Sequence, residues 1–323
     1  MRLITLIFTA LLLCCIGSCG DDSDAPATVT ILVPEAIGSL PFLLFAEQTS
    51  PGGVRLNIVF FTGHPQALIL LLQGQADFLF TGTTLGWQSM WDGSPLVAVE
   101  SYVWGISSLL VQHEGPASIR DLSGMRLSLP FRDSPLDLET RFLLDRAGVK
   151  NTAVTLEYRP FAQGIPLFLE GNIDAIALPE PLATDLVHTH HVRRLFNYRN
   201  ALRMAAGTDG RSPEVTLFST RDKATKYSRL IPLLHDGLAR IIDSMAADPE
   251  GTAAAAGRHF NYPPAILEEA IRETSFGSCS FQEHMSRMRE YHRLIGPYFH
   301  TPPGPLPDTF FFIPEEKETG TDG

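Results

Sequence analysis

One seven-residue pattern occurs twice in this chain, and it points to a fold built by duplication. Residues 71–77 read Leu-Leu-Gln-Gly-Gln-Ala-Asp and residues 168–174 read Phe-Leu-Glu-Gly-Asn-Ile-Asp, which share apolar, Leu, polar, Gly, polar, apolar, Asp. From 71 to 168 the offset is 97, and from Pro34 to Pro130, each closing an apolar run, it is 96. The same element order surrounds both copies. In the first, a β-branched run (28–34) leads through a loop into an apolar helical stretch (40–48). A second strand (54–61) follows, then Thr62-Gly63-His64-Pro65, then Leu68, Leu71 and Leu72 at helical spacing. Gly74 ends that helix and a third strand begins at Asp77. In the second copy, strands 126–130 and 154–158 alternate with helices 136–147 and 164–170. Alternation of this kind builds a mostly parallel sheet with helices on both faces. The expected fold class is α/β, with two similar doubly wound domains joined by crossing strands.

After the second copy come a returning strand (214–219) and four helices (228–246, 249–260, 263–274 and 280–295), separated by Asp248-Pro249, Pro263-Pro264 and Gly277-Ser278. The first helix carries Leu230, Leu233, Leu234, Leu238, Ile241, Ile242 and Met245 as one stripe, so the block should pack on the first domain. The chain then crosses between domains twice, near 107–112 and 208–219. The expected lobes are 28–110 with 214–314, and 111–213, with a disordered polar tail at 315–323.

The N-terminus reads Met1-Arg2, an apolar run over 3–16, then Gly17-Ser18-Cys19-Gly20. This is the pattern of a secretory signal. At about 14 residues the run is too short to span a bilayer, which takes roughly 20. The segment Ile16-Gly17-Ser18-Cys19 resembles the bacterial lipobox, in which a peptidase cuts before an acylated cysteine. Ordinary cleavage with Cys19 unmodified is the alternative. Residues 20–27 read as a tether, and the expected location is the periplasmic face of a bacterial inner membrane or the cell surface. Of the four cysteines, Cys14 and Cys15 fall in the segment that is lost and Cys19 takes the lipid, so Cys279 is left without a disulfide partner. With 36 acidic against 25 basic residues the net charge is -11, which argues against a nucleic-acid partner.

In doubly wound sheets ligands sit beyond the carboxyl ends of the strands. That rule selects loops 35–41, 62–65, 81–85, 131–135 and 179–181. Leu40 and His64 enter the candidate set with their loops. Ser39 is placed either to cap a helix or to touch a ligand, and Thr81, Gly82, Thr83 and Thr84 offer hydroxyls and a flexible backbone. Tyr102, Trp104 and Phe131 offer flat faces beside a crossing or a loop, whereas most other Phe residues read as core. Ser134 fits a capping box with Asp137, and Pro135 stands at the first helical position. Asp133 and Asp137 then place negative charge at a helix start that would otherwise attract an anion. Arg132 is the candidate that could still bind one, unless it pairs with Asp133. His188, His190 and His191 fall outside the selected loops without a second ligand group at known spacing, so no metal and no cofactor are expected. Cys279 reads as a small core residue.

With these features in order, the chain resembles the substrate-binding proteins of bacterial ABC importers, in the group of sulfonate, nitrate and thiamine-precursor binders. The likeness rests on Gly38-Ser39-Leu40-Pro41, Gly74 with Asp77, residues 118–126 (Ser-Ile-Arg-Asp-Leu-Ser-Gly-Met-Arg), Gly171-Asn172-Ile173-Asp174-Ala175, and Glu180-Pro181. It implies a monomer that closes two lobes on a small molecule and delivers it to a permease with a cytoplasmic ATPase. Glu180, at the Glu-Pro position, could then accept bonds from a ligand amine. A vitamin-type heterocycle such as a thiamine precursor is favoured over a small oxyanion such as a sulfonate or nitrate. Two other classes stand beside this one. The first is a thiamine-pyrimidine synthase-like enzyme, whose cysteine-rich motif this chain lacks. The second is a ligand sensor or adhesin on the same fold.

Overall fold

The computed structural model describes residues 27–301 and 303–314. The signal segment with Cys19, residues 20–26 of the tether and the tail 315–323 lie outside the described residues. Ten strands form two five-stranded sheets. They are β1 (Thr28–Pro34), β2 (Arg55–Phe61), β3 (Phe78–Gly82), β4 (Leu96–Val103), β5 (Ser107–Gln112), β6 (Arg126–Leu129), β7 (Thr155–Tyr158), β8 (Ala175–Pro179), β9 (Val192–Asn197) and β10 (Val215–Thr220). The strand orders are β2-β1-β3-β10-β4 and β7-β6-β8-β5-β9. Position by position the two sheets are the same. In each, three strands pair in parallel, and the fourth in order runs antiparallel to both of its neighbours.

The reversed strand of each sheet is the one the chain donates from the other half, since β5 follows β4 directly and β10 follows the second sheet's elements. The two crossings therefore fall at 104–106 and 207–214. Strand β5 belongs wholly to the second sheet, so the first crossing comes a few residues before the boundary expected at 110. Gly105 makes that passage possible. Its φ is 152°, and a Cβ there would meet Cβ of Arg199 at 2.6 Å.

The repeated motif has one structural job, done twice. Gly74 (φ 79°) and Gly171 (φ 75°) end their helices in the left-handed conformation. Three residues on, the Asp77 carboxylate accepts the Thr30 amide at 2.9 Å and the Asp174 carboxylate accepts the Arg126 amide at 2.7 Å. The backbone amides of Asp77 and Asp174 in turn donate to the carbonyls of Thr30 and Arg126, both at 2.9 Å. Each aspartate thus ties the start of the third strand to the first strand, which the first and third strands of any such unit need.

The C-terminal helices observed are Leu230–Ala247, Pro249–Ala256, Pro264–Glu273 and Phe281–Ile295. The apolar stripe of the first, except Leu233, which is exposed, packs with Val29, Ile31 and Val33 of β1 on one face of the first sheet. The last of them buries Met288, Tyr291 and Ile295 with Leu79 and Trp87 on the other face. Elements not anticipated from sequence include β4, β9 and the helices Thr83–Trp91, Leu182–Thr189, Tyr198–Ala206 and Arg221–Lys226. The two arginines of β9 obscured its strand character. Arg193 is held by the carbonyls of His113, Gly115 and Pro116, and Arg194 by Glu180 and Glu269. Among the described residues no helix is long and apolar enough to cross a membrane.

Candidate functional site

Between the sheets lies a cavity of about 410 Å³. Its wall is assembled from the carboxyl ends of the parallel strands of both halves. Pro34, Phe61 and Gly82 come from β1, β2 and β3, and Pro130, Pro160 and Pro179 come from the ends of β6, β7 and β8. Phe161, Ile165 and Leu182 add apolar surface from the second half, and Tyr262 reaches in from the C-terminal block.

Two physical properties of this wall bear on what it can hold. Pro34, Pro130, Pro135, Pro160 and Pro179 contribute no amide hydrogen, and Pro135 occupies the first turn of helix Pro135–Arg146, whose start faces the cavity. No arginine or lysine lies in the wall among the described residues; its ionisable groups are Glu35, Glu214, His64 and Tyr262.

His64 and Phe131 close the cavity from opposite halves, with ring centroids 5.6 Å apart. Phe61 meets His64 edge-on at 5.1 Å. The buried Thr81 hydroxyl fixes the imidazole through Nδ1 at 2.6 Å. Solvent reaches part of His64, but desolvation within this ring cluster pulls its pKa down to about 4, so the ring is neutral at physiological pH.

Four sequence candidates therefore line the cavity: His64, Gly82, Phe131 and Ser134. Ser134 also caps its helix, accepting the Asp137 amide at 3.2 Å. The reciprocal half of the expected capping box is absent, because the Asp137 carboxylate takes the Asp133 amide at 2.8 Å and pairs with Arg141 at 2.8 Å.

The other candidates stand elsewhere, each for a physical reason. Ser39 is buried and donates to the Pro34 carbonyl at 2.6 Å, and Leu40 lies in the core of the first sheet. Thr83 and Thr84 begin the helix Thr83–Trp91 instead of forming a loop. Thr83 bonds the Pro213 carbonyl and the Thr216 hydroxyl, and Thr81 and Thr84 are both fully buried. Tyr102 stacks on Phe80 at 4.9 Å and donates to the Gly38 carbonyl at 3.0 Å. Trp104 is fully buried and donates to the Gly277 carbonyl at 2.6 Å. Trp104 is sealed because residues 275–277 run along β4 and cover its edge, and Tyr102 because Phe42 and Phe80 enclose its ring. Arg132 lies over the Tyr158 ring at 5.3 Å, outside the cavity, and Asp133 instead accepts the His300 amide at 3.0 Å. The Glu180 carboxylate is already occupied by the Thr184 amide at 3.0 Å and by Arg194 at 3.1 Å, so it offers no free site to a ligand amine. The histidine cluster is divided. His188 pairs with Glu269 at 2.6 Å, while the His191 ring stands 4.3 Å, centroid to centroid, from that of His113. His113, Glu114 and His191 bring their ligand atoms within 4.8 Å of one another on the exposed surface, a grouping the sequence spacing did not show.

Sequence reasoning missed Glu214, which is 3% exposed in the cavity wall. One carboxylate oxygen accepts the Ser107 hydroxyl at 3.1 Å, and the other, Oε1, has no partner. Burial pushes its pKa up to about 7. Nearby Glu139 is fully buried and accepts the Tyr291 hydroxyl at 2.6 Å. Burial, with the Glu214 charge in addition, holds Glu139 well above the ordinary carboxyl range, so Glu139 keeps its proton. The available signal was a carboxylate at the second crossing, directly before a strand.

With this geometry defined, the fold can be compared with known structures. No family model matches the sequence, and no curated protein matches it. Solved structures do match in fold. A zinc-bound ligand-binding component of an ABC-type import system from Staphylococcus aureus is 15% identical with a TM-score of 0.75, covering 88% of this chain and 98% of that one. The alkanesulfonate-binding protein SsuA from Xanthomonas axonopodis pv. citri, bound to MOPS, is 21% identical with a TM-score of 0.67, covering 84% and 94%. The periplasmic nitrate-binding protein NrtA from Synechocystis is 11% identical with a TM-score of 0.63, covering 76% and 70%. The chain therefore has the two-lobed α/β fold of periplasmic binding proteins, with its cavity between the lobes.

Proposed function

We propose that this protein captures a small solute between its two lobes, outside the cytoplasm, and delivers it to an ABC permease driven by a cytoplasmic ATPase. The observation that carries this reading is the cavity of about 410 Å³ bounded by the strand ends of both sheets. Two crossings join the lobes, and hinge motion at such crossings opens and closes a site of this kind. The volume suits a molecule of one or two rings. Lipidation at Cys19 would keep the captor within reach of its permease, raising the local concentration of one for the other.

The apolar, proline-rich wall favours a flat heterocycle of the vitamin type, such as a thiamine precursor. The competing reading is a sulfonate or nitrate, which two of the structural relatives are named for binding. An oxyanion needs convergent N–H donors or cations, and this wall offers prolines and carboxylates.

Gly82 provides the test, since a Cβ there would already touch Pro135 at 3.4 Å. Gly82→Leu should fill the space between the lobes and abolish ligand stabilisation, leaving the ligand-free melting temperature nearly unchanged. In a thermal-shift screen of heterocycles, alkanesulfonates and nitrate, a bound heterocycle should raise the wild-type melting point by about 5 °C at a hundredfold excess over Kd. Stabilisation by oxyanions alone would overturn the ligand choice. Equal stabilisation of the Gly82→Leu variant would overturn the site.

A further inference from the structure

The buried carboxyls at the cavity lead to a more specific conclusion, which rests on the capture reading above. We propose that the solute is a cation, a flat or apolar body bearing a protonated nitrogen, and that Glu214 is the residue that receives that nitrogen.

The geometry is a carboxylate that is fixed but half used. Glu214 lies in the cavity wall, its Oε2 held by the Ser107 hydroxyl at 3.1 Å, the Ile106 amide also acting on the carboxylate, and its Oε1 buried without a hydrogen-bond partner. Such an oxygen is costly to leave unpaired in a protein interior, and a charge-assisted N–H bond is the natural way to satisfy it. No lysine or arginine of the wall can supply that bond. Glu180, by contrast, is satisfied by Arg194 and the Thr184 amide. The two buried glutamates thus differ in the respect that separates a structural carboxylate from a recognition carboxylate.

Glu139 behind Glu214 sets the charge. Its Oε1 takes the Tyr291 hydroxyl, and its Oε2, like Oε1 of Glu214, has no partner. Glu139 keeps its proton, so the negative charge available in this pair is the one Glu214 carries when it ionises. A monocation neutralises that charge on binding, whereas an anion would place a second negative charge beside it. Tyr198 and Tyr291 are the other titratable groups that feel Glu214, and both hydroxyls stay protonated because burial and these carboxyls raise them. Of the remaining wall groups, His64 is neutral, the Tyr262 hydroxyl is raised by burial and stays protonated, and Glu35 is an exposed carboxyl, so none repels a cation.

The test uses matched triads on a phenyl and on a pyrimidine ring, carrying aminomethyl, hydroxymethyl or sulfonatomethyl, titrated calorimetrically at pH 7.5 into wild type and Glu214→Gln. The expected result is that wild type binds the amines most tightly. The variant should lose at least tenfold in amine affinity and less than threefold in alcohol affinity. A melting curve for Glu214→Gln no lower than that of wild type confirms that the variant is folded. Preference for the sulfonates or alcohols, or amine affinity unchanged in the variant, overturns the assignment to Glu214. Failure of every triad member to bind also overturns this solute class, while solute capture itself is judged separately by the Gly82→Leu comparison.

Discussion

Replacing Trp104 with alanine is expected to destabilise the protein by about 3–5 kcal/mol, the range for removing a large aromatic from a packed core. The ring is fully buried, donates to the Gly277 carbonyl at 2.6 Å, and lies beneath the Arg287 guanidinium at 5.6 Å. Around it the Trp104 amide donates to the Ser275 carbonyl, the Ser275 amide to Gly105, and the Gly277 amide to Tyr102, at 2.8, 2.8 and 2.9 Å. The side chain thus seals segment 275–277 against β4, beside the first crossing. Since total stability is typically about 5–15 kcal/mol, such a loss should be plain in a urea unfolding curve. Trp104→Phe keeps most of the volume but not the donor, and should recover more than half of the loss. The cavity wall does not include Trp104, so the residual folded Trp104→Ala protein should bind ligand with unchanged stoichiometry. A normal unfolding midpoint with lost binding would instead place the ring at the ligand.

The second large effect is a pH dependence set by Glu214. Its carboxyl titrates near 4.5 when unfolded and is pushed up to about 7 when buried. Folding therefore favours the protonated form. The associated stability is fully present below about pH 4.5 and is lost as pH rises through about 7. A difference of that size is worth about 3 kcal/mol. Other groups oppose this trend. Glu47, Asp209 and Glu269 are held below the ordinary range by arginine and histidine partners, which adds stability at higher pH. The difference between Glu214→Gln and wild type removes that background. Ligand-free Glu214→Gln should match wild type near pH 4.5 and be more stable at pH 8. A difference that stays flat from pH 4.5 to 8 would show that Glu214 is not a buried ionising group.

Duplication was legible in the sequence because its residues act on backbone. Gly74 and Gly171 are needed for a left-handed φ, and Asp77 and Asp174 to accept a strand amide. Requirements of that kind leave the same letters at the same spacing whatever surrounds them. The loops of the site were equally legible, since strand ends define them, and all five chosen loops contribute to the wall through residues such as Ala36, His64, Gly82, Phe131 and Pro179. Which side chain faces inward was not. Thr81 and Gly82 are adjacent, yet one hydroxyl holds His64 and the other residue faces Pro135. Trp104 is covered by a segment 173 positions away, and Glu180 is engaged by an arginine on a strand not recognised from sequence. Glu214 was silent because a single carboxylate before a strand carries no periodic signal. Its character comes from the burial and neighbours that the fold provides.

Native mass spectrometry of the purified protein, followed by dissociation of whatever it retains, tests the central claim most directly. Solute capture predicts one small molecule per chain, of a size that a cavity of about 410 Å³ admits. It also predicts that this molecule is released intact on unfolding and is missing from Gly82→Leu protein prepared in the same way. A chain that retains nothing even after incubation with a cell extract, or a molecule held equally by Gly82→Leu, would contradict it.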